Sequence, residues 1–492
     1  MLSTLSTFWR RTQSWRESAL VQWLVIGGGA LFGFLVVWWV YRPGFMSIDS
    51  TVQLAEARSG QFSDFHPPIL AFIWRYLDKL WPGPIGMLIL LDGLFWFGMA
   101  VLFRLLRWPL WARLGAMLLV AFQPAVFMLL GTVWKDTLMQ ATLLAATGVI
   151  LLAGSGRLRF GWLFVAPLMF VGIAARHNGI GAAWPLLALP FLGVKWLARF
   201  RRPWQLAASF ALGLVLALSL RQGAAVLSQK IVVEPMNYWQ MTPIYDLVGM
   251  SLQANEVLVT PEDGVASPGV SLARLRQVYD PRDHLKLYRC RRKNCTPVLF
   301  RTSDPAQLAA LSRKWKHTIL AHPRAYLAHR WLVFRELLRL DGRRAELSRG
   351  VVRNRLGVPT TRSETASRAL KLLAAAPHVP FYATWLYVLL ESVLLVVGAF
   401  DYFGRGRPMC LCFSLSGLIY LATFFFATGA PDLRYSTWTI LTTLLAACSL
   451  RGFEGWPEAE GSFAQRFKAR LSRLRPWARR APGVQAHSGS SA

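Results

Sequence analysis

Four short polar clusters carry the residue types that chemistry needs. Asp49, Asp64 and His66 lie within "FMSIDSTVQLAEARSGQFSDFHPPIL" (Phe45–Leu70), and "GTVWKD" contributes Lys135 and Asp136. "ARHNG" adds Arg176, His177 and Asn178, and "PDLRYSTW" adds Arg434 and Tyr435. A carboxylate can take the proton of an acceptor hydroxyl or amine. Cationic side chains stabilise the charge that develops on a departing phosphate. Such a set suits transfer of a sugar from a phosphate-linked lipid, or ion binding and relay in a transporter. A transporter calls for ionisable or helix-breaking positions near the middle of the bilayer, often in paired repeats. Asp92 is the main such residue within an apolar stretch, and neither half of the chain repeats the other. The balance favours transfer chemistry at the membrane surface.

The elements around these clusters are apolar stretches of membrane-spanning character. Hydrophobic residues make up 54% of the chain and the mean hydropathy is +0.36, high for a soluble domain. Stretches near the length that crosses a bilayer run Val21–Tyr41, Gly83–Phe103, Leu114–Leu130, Thr137–Leu152, Phe160–Ala175, Gly179–Leu197 and Leu206–Leu220. Three more follow a long polar region, at Phe381–Phe400, Met409–Thr428 and Thr437–Leu450, giving a working count of about ten. The first stretch follows Arg10, Arg11 and Arg16 and ends at Arg42-Pro43 without a small-residue cleavage site, which reads as a retained helix. Between the first two, "STVQLAEARSG" (Ser50–Gly60) reads as a short helix stopped by Gly60, and "HPPILAFIWRYLDKLW" as an amphipathic one. Together they would cradle whatever sits near Asp49.

The net charge of +30 raises the question of nucleic acid, and its distribution answers it. With the N-terminus in the cytoplasm, the short basic loops all fall inside: Arg104/Arg107/Arg113, Arg157/Arg159, Lys195/Arg199/Arg201/Arg202 and Arg405/Arg407. The tail from Arg451, with eight Lys/Arg, falls there too. This is the positive-inside pattern, reinforced by attraction to anionic headgroups, and no nucleic-acid partner is expected. In that orientation the four polar clusters share the outer side.

The chain therefore divides into a spanning module at residues 1–220, an external domain at 221–378, C-terminal spanning helices at 379–450 and a basic cytoplasmic tail at 451–492. The 158-residue external region holds 26 Lys/Arg against 12 Asp/Glu, an excess that topology rules do not explain in so long a loop. Its basic surface is either simply solvated or faces phosphate-bearing lipid. Within it, "AYLAHRWLVFRELLRL" (Ala325–Leu340) has Leu327, Trp331, Phe334 and Leu338 at helical spacing, the pattern of a helix lying on the membrane. Cys290 and Cys295 in "CRRKNC" could close a short disulfide hairpin, and the spacing lacks the ligands of a zinc site.

The layout resembles the polytopic membrane glycosyltransferases of the C-type fold (GT-C), which use polyprenyl-phosphate-linked sugars. The resemblance rests on Asp49 in "MSIDSTVQ", "DFHPP", "WKD", "RHN" and "DLRY", and on "HPRAYLAHR" (His322–Arg330) in the external region. It implies an all-α polytopic protein of a bacterial inner membrane, with external amphipathic helices and one large external domain. It also implies inverting transfer from a polyprenyl-phosphate-sugar to an anionic glycolipid or polysaccharide acceptor of the envelope. Asp49, with Asp64 second, stands where the family's catalytic carboxylate stands, although the family's paired acids are not present, since Ser50 follows Asp49. Lys135, Arg176 and Arg434 are then the donor-phosphate contacts. His66, Asp136, His177, Asn178 and Tyr435 position donor or acceptor. No metal ligands are assigned, and use of a divalent cation is left open. The alternative is a transporter or flippase of lipid-linked saccharides.

Overall fold

A computed structural model describes residues 18–193, 197, 200–289, 297–341, 350–362, 364, 368, 380–405 and 407–454. Cys290 and Cys295, the N-terminal arginines and the tail beyond Glu454 lie outside the described residues. The chain is mostly helical. It opens with α1 (Ala19–Tyr41), α2 (Ile48–Ser59), α3 (Ile69–Leu80), α4 (Ile85–Leu105), α5 (Leu110–Ala121) and α6 (Pro124–Leu130). There follow α7 (Lys135–Gly154), α8 (Trp162–Ala175), α9 (Gly179–Leu187), α10 (Leu189–Leu192) and α11 (Arg202–Ile231). The intervening region carries α12 (Met241–Ala254), α13 (Leu272–Val278), α14 (Pro305–Ala321) and α15 (Pro323–Leu338). The chain closes with α16 (Thr384–Arg405), α17 (Met409–Ala427) and α18 (Thr437–Ser449).

Six of these helices, α1, α4, α7, α11, α16 and α17, are long and apolar enough to cross a membrane. A seventh span arises if α5 and α6, bent by 70° at Phe122-Gln123, are taken as one. The remaining apolar stretches of the sequence form helices too short to cross alone, 14 residues in α8 and 13 in α18. Helix α7 is the hub: 83% of its most apolar window is buried, against 17% in α11. It meets α4 at glycines, where a Cβ on Gly98 would come within 2.8 Å of the Leu144–Ala145 backbone, the small-residue packing that lets membrane helices approach closely. Large apolar side chains stay exposed along α1, α11 and α16, for example Leu31, Val215 and Val393, forming a lipid-facing belt.

The expected helices after the first span are present, and α2 stops at Gly60, whose φ of +76° needs no Cβ. The intervening region has its own core around Ile244, Leu247, Leu275, Leu299 and Val333. Two small ladders tie it in. Phe62–Ser63 (β1) pairs in parallel with Val232–Glu234 (β2), and Gly350–Val351 (β3) pairs antiparallel with Thr361–Arg362 (β4).

Helix α15 covers most of "AYLAHRWLVFRELLRL", and two of the polar residues that interrupt its apolar stripe face inward. His329 and Arg330, which interrupt the apolar stripe, are fully buried. Leu327 and Trp331 are about half exposed, at 52% and 49%. The reason is Asp246 on α12, itself fully buried. It accepts from Arg330 Nη2 at 2.7 Å and Trp315 Nε1 at 2.9 Å, and its other oxygen lies 3.1 Å from His329 Nε2. A buried charge is tolerable when it is paired and hydrogen-bonded.

Candidate functional site

The C-terminal end of α1, the N-termini of α2 and α7, the end of α8 and the turn before α18 meet at one end of the helices. Phe45, just after α1, is the strap between them: its N–H donates to Gly131 O at 2.8 Å and its carbonyl accepts from Val133 N–H at 3.0 Å. Met46 makes the same pair of bonds on its other side, to Gly350 O and from Val352 N–H, each 3.1 Å. Gly131 packs so tightly beneath the Tyr41 ring that no Cβ would fit there. This strap fixes Asp49, in the first turn of α2, beside Lys135, the first residue of α7. Ser50 Oγ accepts from Ser47 N–H at 3.1 Å and donates to Val133 O at 2.8 Å, locking the helix start.

Asp49 is held by a residue from the other end of the chain. Arg434 Nη1 donates to Asp49 Oδ2 at 2.8 Å, and Arg434 Nε lies 3.1 Å from Asp432 Oδ2. The guanidinium lies over the Trp134 ring, 4.8 Å from its centroid, and 5.3 Å from that of Tyr435. Burial alone would push the Asp49 carboxyl upward. Arg434 foremost, with Lys135, outweighs it and holds Asp49 below its ordinary value.

His66 stands between Lys135 and Asp49. Lys135 Nζ is 2.9 Å from His66 Nδ1, and His66 Nε2 is 3.8 Å from Asp49 Oδ1. Burial first, then Lys135, drives the imidazole pKa down to about 2, so it is neutral. When Lys135 carries its proton it can only donate; Nδ1 is then the acceptor and the ring proton sits on Nε2, facing Asp49. The 3.8 Å separation is too long for a hydrogen bond, and Nε2 is buried without one.

A second pair stands behind the first. Arg176, at the end of α8, donates through Nη1 to the fully buried Asp136 in the first turn of α7. Its Nε donates to Asn178 Oδ1 at 3.1 Å, while Asn178 Nδ2 donates to Thr423 Oγ1 at 2.8 Å. The Arg176 guanidinium is 4.6 Å from the Tyr435 ring centroid, and Tyr435 stacks on Phe424 at 4.7 Å. The turn that places Arg176 requires glycine next: a Cβ on Gly179 would come within 2.8 Å and 3.0 Å of the carbonyl oxygens of Gly172 and Ile173.

Thus Asp49, His66, Lys135, Asp136, Arg176, Asn178, Arg434 and Tyr435 converge. Asp64 does not join them. Its carboxylate accepts from the backbone amides of Met236 and Asn237 at 2.6 Å and 3.2 Å, fastening the first loop to the segment after α11. His177 is exposed and makes no hydrogen bond among the described residues. Trp134, Asp432 and Phe424 also belong to the clamp. Trp134 and Asp432 lie inside the polar motifs themselves, beside Lys135 and Arg434. Lys135 is set apart from the two arginines: among the described residues no carboxylate lies within 4.0 Å of it. No group of three His, Cys, Asp or Glu side chains converges among the described residues in a way that could hold a metal.

No family model, curated protein or solved structure matches this chain.

Proposed function

We propose that this chain is a membrane glycosyltransferase of GT-C-like fold. It transfers a sugar from a polyprenyl-phosphate donor to an envelope glycolipid or polysaccharide at the outer face of a bacterial inner membrane. The observation that carries this reading is Asp49 held 2.8 Å from Arg434, with Lys135 beside it through His66 and, among the described residues, no carboxylate within 4.0 Å of Lys135. A carboxylate base and cations without full compensation are what the two ends of this reaction require.

In the proposed reaction the acceptor oxygen attacks the anomeric carbon from the side opposite the phosphate. The bond from that carbon to the phosphate oxygen breaks, and its electron pair leaves with the polyprenyl phosphate. The acceptor proton passes to Asp49. A carboxylate with a depressed pKa serves this role when proton transfer comes late, after the acceptor oxygen has bonded. Arg434 and Lys135 hold the donor phosphate, and Arg434 exchanges part of its contact with Asp49 for the phosphate, freeing the base. Arg176 is committed to Asp136 and acts through Tyr435 as a support for the clamp.

A second reading, a transporter of lipid-linked saccharides, draws on Asp92 within α4 and Glu391 within α16. Both are buried, and each has at least one carboxylate oxygen without a hydrogen bond. Ionisable residues inside spans mark ion and proton paths. Purified protein in vesicles, given a panel of polyprenyl-phosphate sugars with candidate acceptors, separates the two. Release of polyprenyl phosphate coupled to acceptor glycosylation supports the transferase. Movement of intact lipid-linked sugar across the bilayer without release supports the transporter.

A further inference from the structure

On the membrane face opposite the clamp, α11 begins where α16 ends and α17 begins. A cavity of about 350 Å³ opens between them, lined by Leu206 and Phe210 of α11, Phe403 of α16, and Leu411 and Leu415 of α17. Its lining is almost wholly apolar, and it is open to the surroundings. In a bilayer such a groove must be filled, because a void leaves its lining without contact partners. Lipid chains are what surrounds it. They are as apolar as the groove, so moving a chain from the bilayer into it brings no hydrophobic gain. Any preference for one lipid must therefore come from the polar end of the groove.

That end is basic and built. Arg202 bridges the two walls, its Nη1 donating to the carbonyl oxygens of Tyr402, at 2.9 Å, and Phe403. Tyr402 Oη donates to Gln205 Oε1 at 3.4 Å, joining the walls again one turn further along. Arg201 and Arg405 are exposed beside this bridge, and Arg407 is half-buried. Asp401, paired with Arg405 at 3.1 Å, is the one acid beside these four arginines among the described residues. Trp204, 69% exposed, stands at the same level, the place of an interfacial aromatic anchor.

We infer that this groove is a binding site for an anionic glycerophospholipid of the leaflet opposite the clamp, with one acyl chain between α11 and α17 and its phosphate against Arg201 and Arg405. The site is independent of the transfer reaction and would fasten α11, the least buried span, to the C-terminal helices. Arginine favours an anionic headgroup over a zwitterionic one, because in the latter an ammonium offsets the phosphate charge.

The test is native mass spectrometry of the full chain, delipidated in detergent and titrated with phosphatidylglycerol or phosphatidylethanolamine. Wild type should take up one phosphatidylglycerol at least tenfold more tightly than phosphatidylethanolamine. The surface double variant Arg201→Gln/Arg405→Gln should bring that ratio close to one. Ala207→Trp, which fills the groove from an exposed position, should weaken uptake of both lipids while leaving far-ultraviolet circular dichroism unchanged. Equal affinity of wild type for the two lipids, or an unchanged ratio in the double variant, would overturn the inference. So would undiminished uptake by Ala207→Trp.

Discussion

Arg434 and Asp49, separated by 385 positions in sequence, meet at 2.8 Å and join the last turn before α18 to the first turn after α1. The pair is three-quarters enclosed, with side-chain exposures of 14% and 29%, and Trp134 and Tyr435 flank the guanidinium. It is a clamp whose two halves have different tasks in the proposed reaction.

Replacing Arg434 with Gln should weaken donor binding, and should also lower stability because Asp49 and Asp432 lose their shared cation. A hydrogen bond to a charged group contributes about 1.5–3 kcal/mol, so donor affinity should fall about ten- to a hundredfold. Arg434→Lys should rescue little, because a single ammonium cannot reach Asp49 and Asp432 together while staying over the Trp134 ring. Titration with a non-hydrolysable polyprenyl-phosphonate sugar reads this directly. Equal affinity for the Lys variant and wild type would argue against the two-point geometry.

Lys135→Met should lower donor affinity while leaving thermal stability near that of wild type. No carboxylate within 4.0 Å depends on Lys135 among the described residues, so its removal strands no buried anion. Asp136→Asn should do the reverse. Asp136 is fully buried against Arg176, and breaking such a pair costs about 3–5 kcal/mol. A clear fall in melting temperature for Asp136→Asn but not for Lys135→Met is the expected contrast.

Acid should destabilise the protein from an unusually high pH downward. His66 titrates near 2 when folded and near its ordinary value of about 6.5 when unfolded. Its contribution is fully present above about pH 6.5 and is lost as pH falls toward 2, because only the unfolded chain takes up the proton, by at most about 1.4 kcal/mol per pH unit. Asp49, held low, adds to this only within and below the carboxylate range. Melting curves between pH 7 and 5 should therefore show a smaller slope for His66→Gln than for wild type. Burial also holds His329 down, so a residual slope should persist in the variant.

The region between α11 and α16 reaches the clamp through the loop at Thr428–Asp432. Arg330 Nη1 donates to Thr428 O at 2.9 Å, and His284 N–H donates to Gly429 O at 3.0 Å. Arg330→Met leaves Asp246 with one ionic partner fewer in a fully buried place, and should cost about 3–5 kcal/mol of stability. Limited proteolysis of the 428–434 segment should accelerate in that variant. An unchanged digestion pattern would mean that the loop is held by other contacts.

Much of this site is legible in the sequence because the basic loops mark one side of the chain and leave the polar clusters on the other. The stop of α2 at Gly60 and the break between α8 and α9 follow from local backbone needs. Asp64 misleads for a physical reason: a carboxylate in a motif-rich loop looks chemical, yet its two oxygens hold the amides of Met236 and Asn237, 172 and 173 positions away. The buried face of α15 is likewise set by Asp246, more than eighty positions distant, which turns His329 and Arg330 inward. No periodicity rule contains that partner. Hydropathy marks α8 and α18 as apolar without fixing where each helix starts and stops, and they are 14 and 13 residues long.

The most direct test of the central claim compares wild type and Asp49→Asn in nanodiscs, measuring donor affinity and release of polyprenyl phosphate in the presence of acceptor. Removing a general base costs about 10²–10⁴-fold in rate. A loss of that size is expected, with donor affinity kept within a few-fold, because Arg434 and Lys135 remain. Release by Asp49→Asn at the wild-type rate would contradict the assignment of Asp49 as the base.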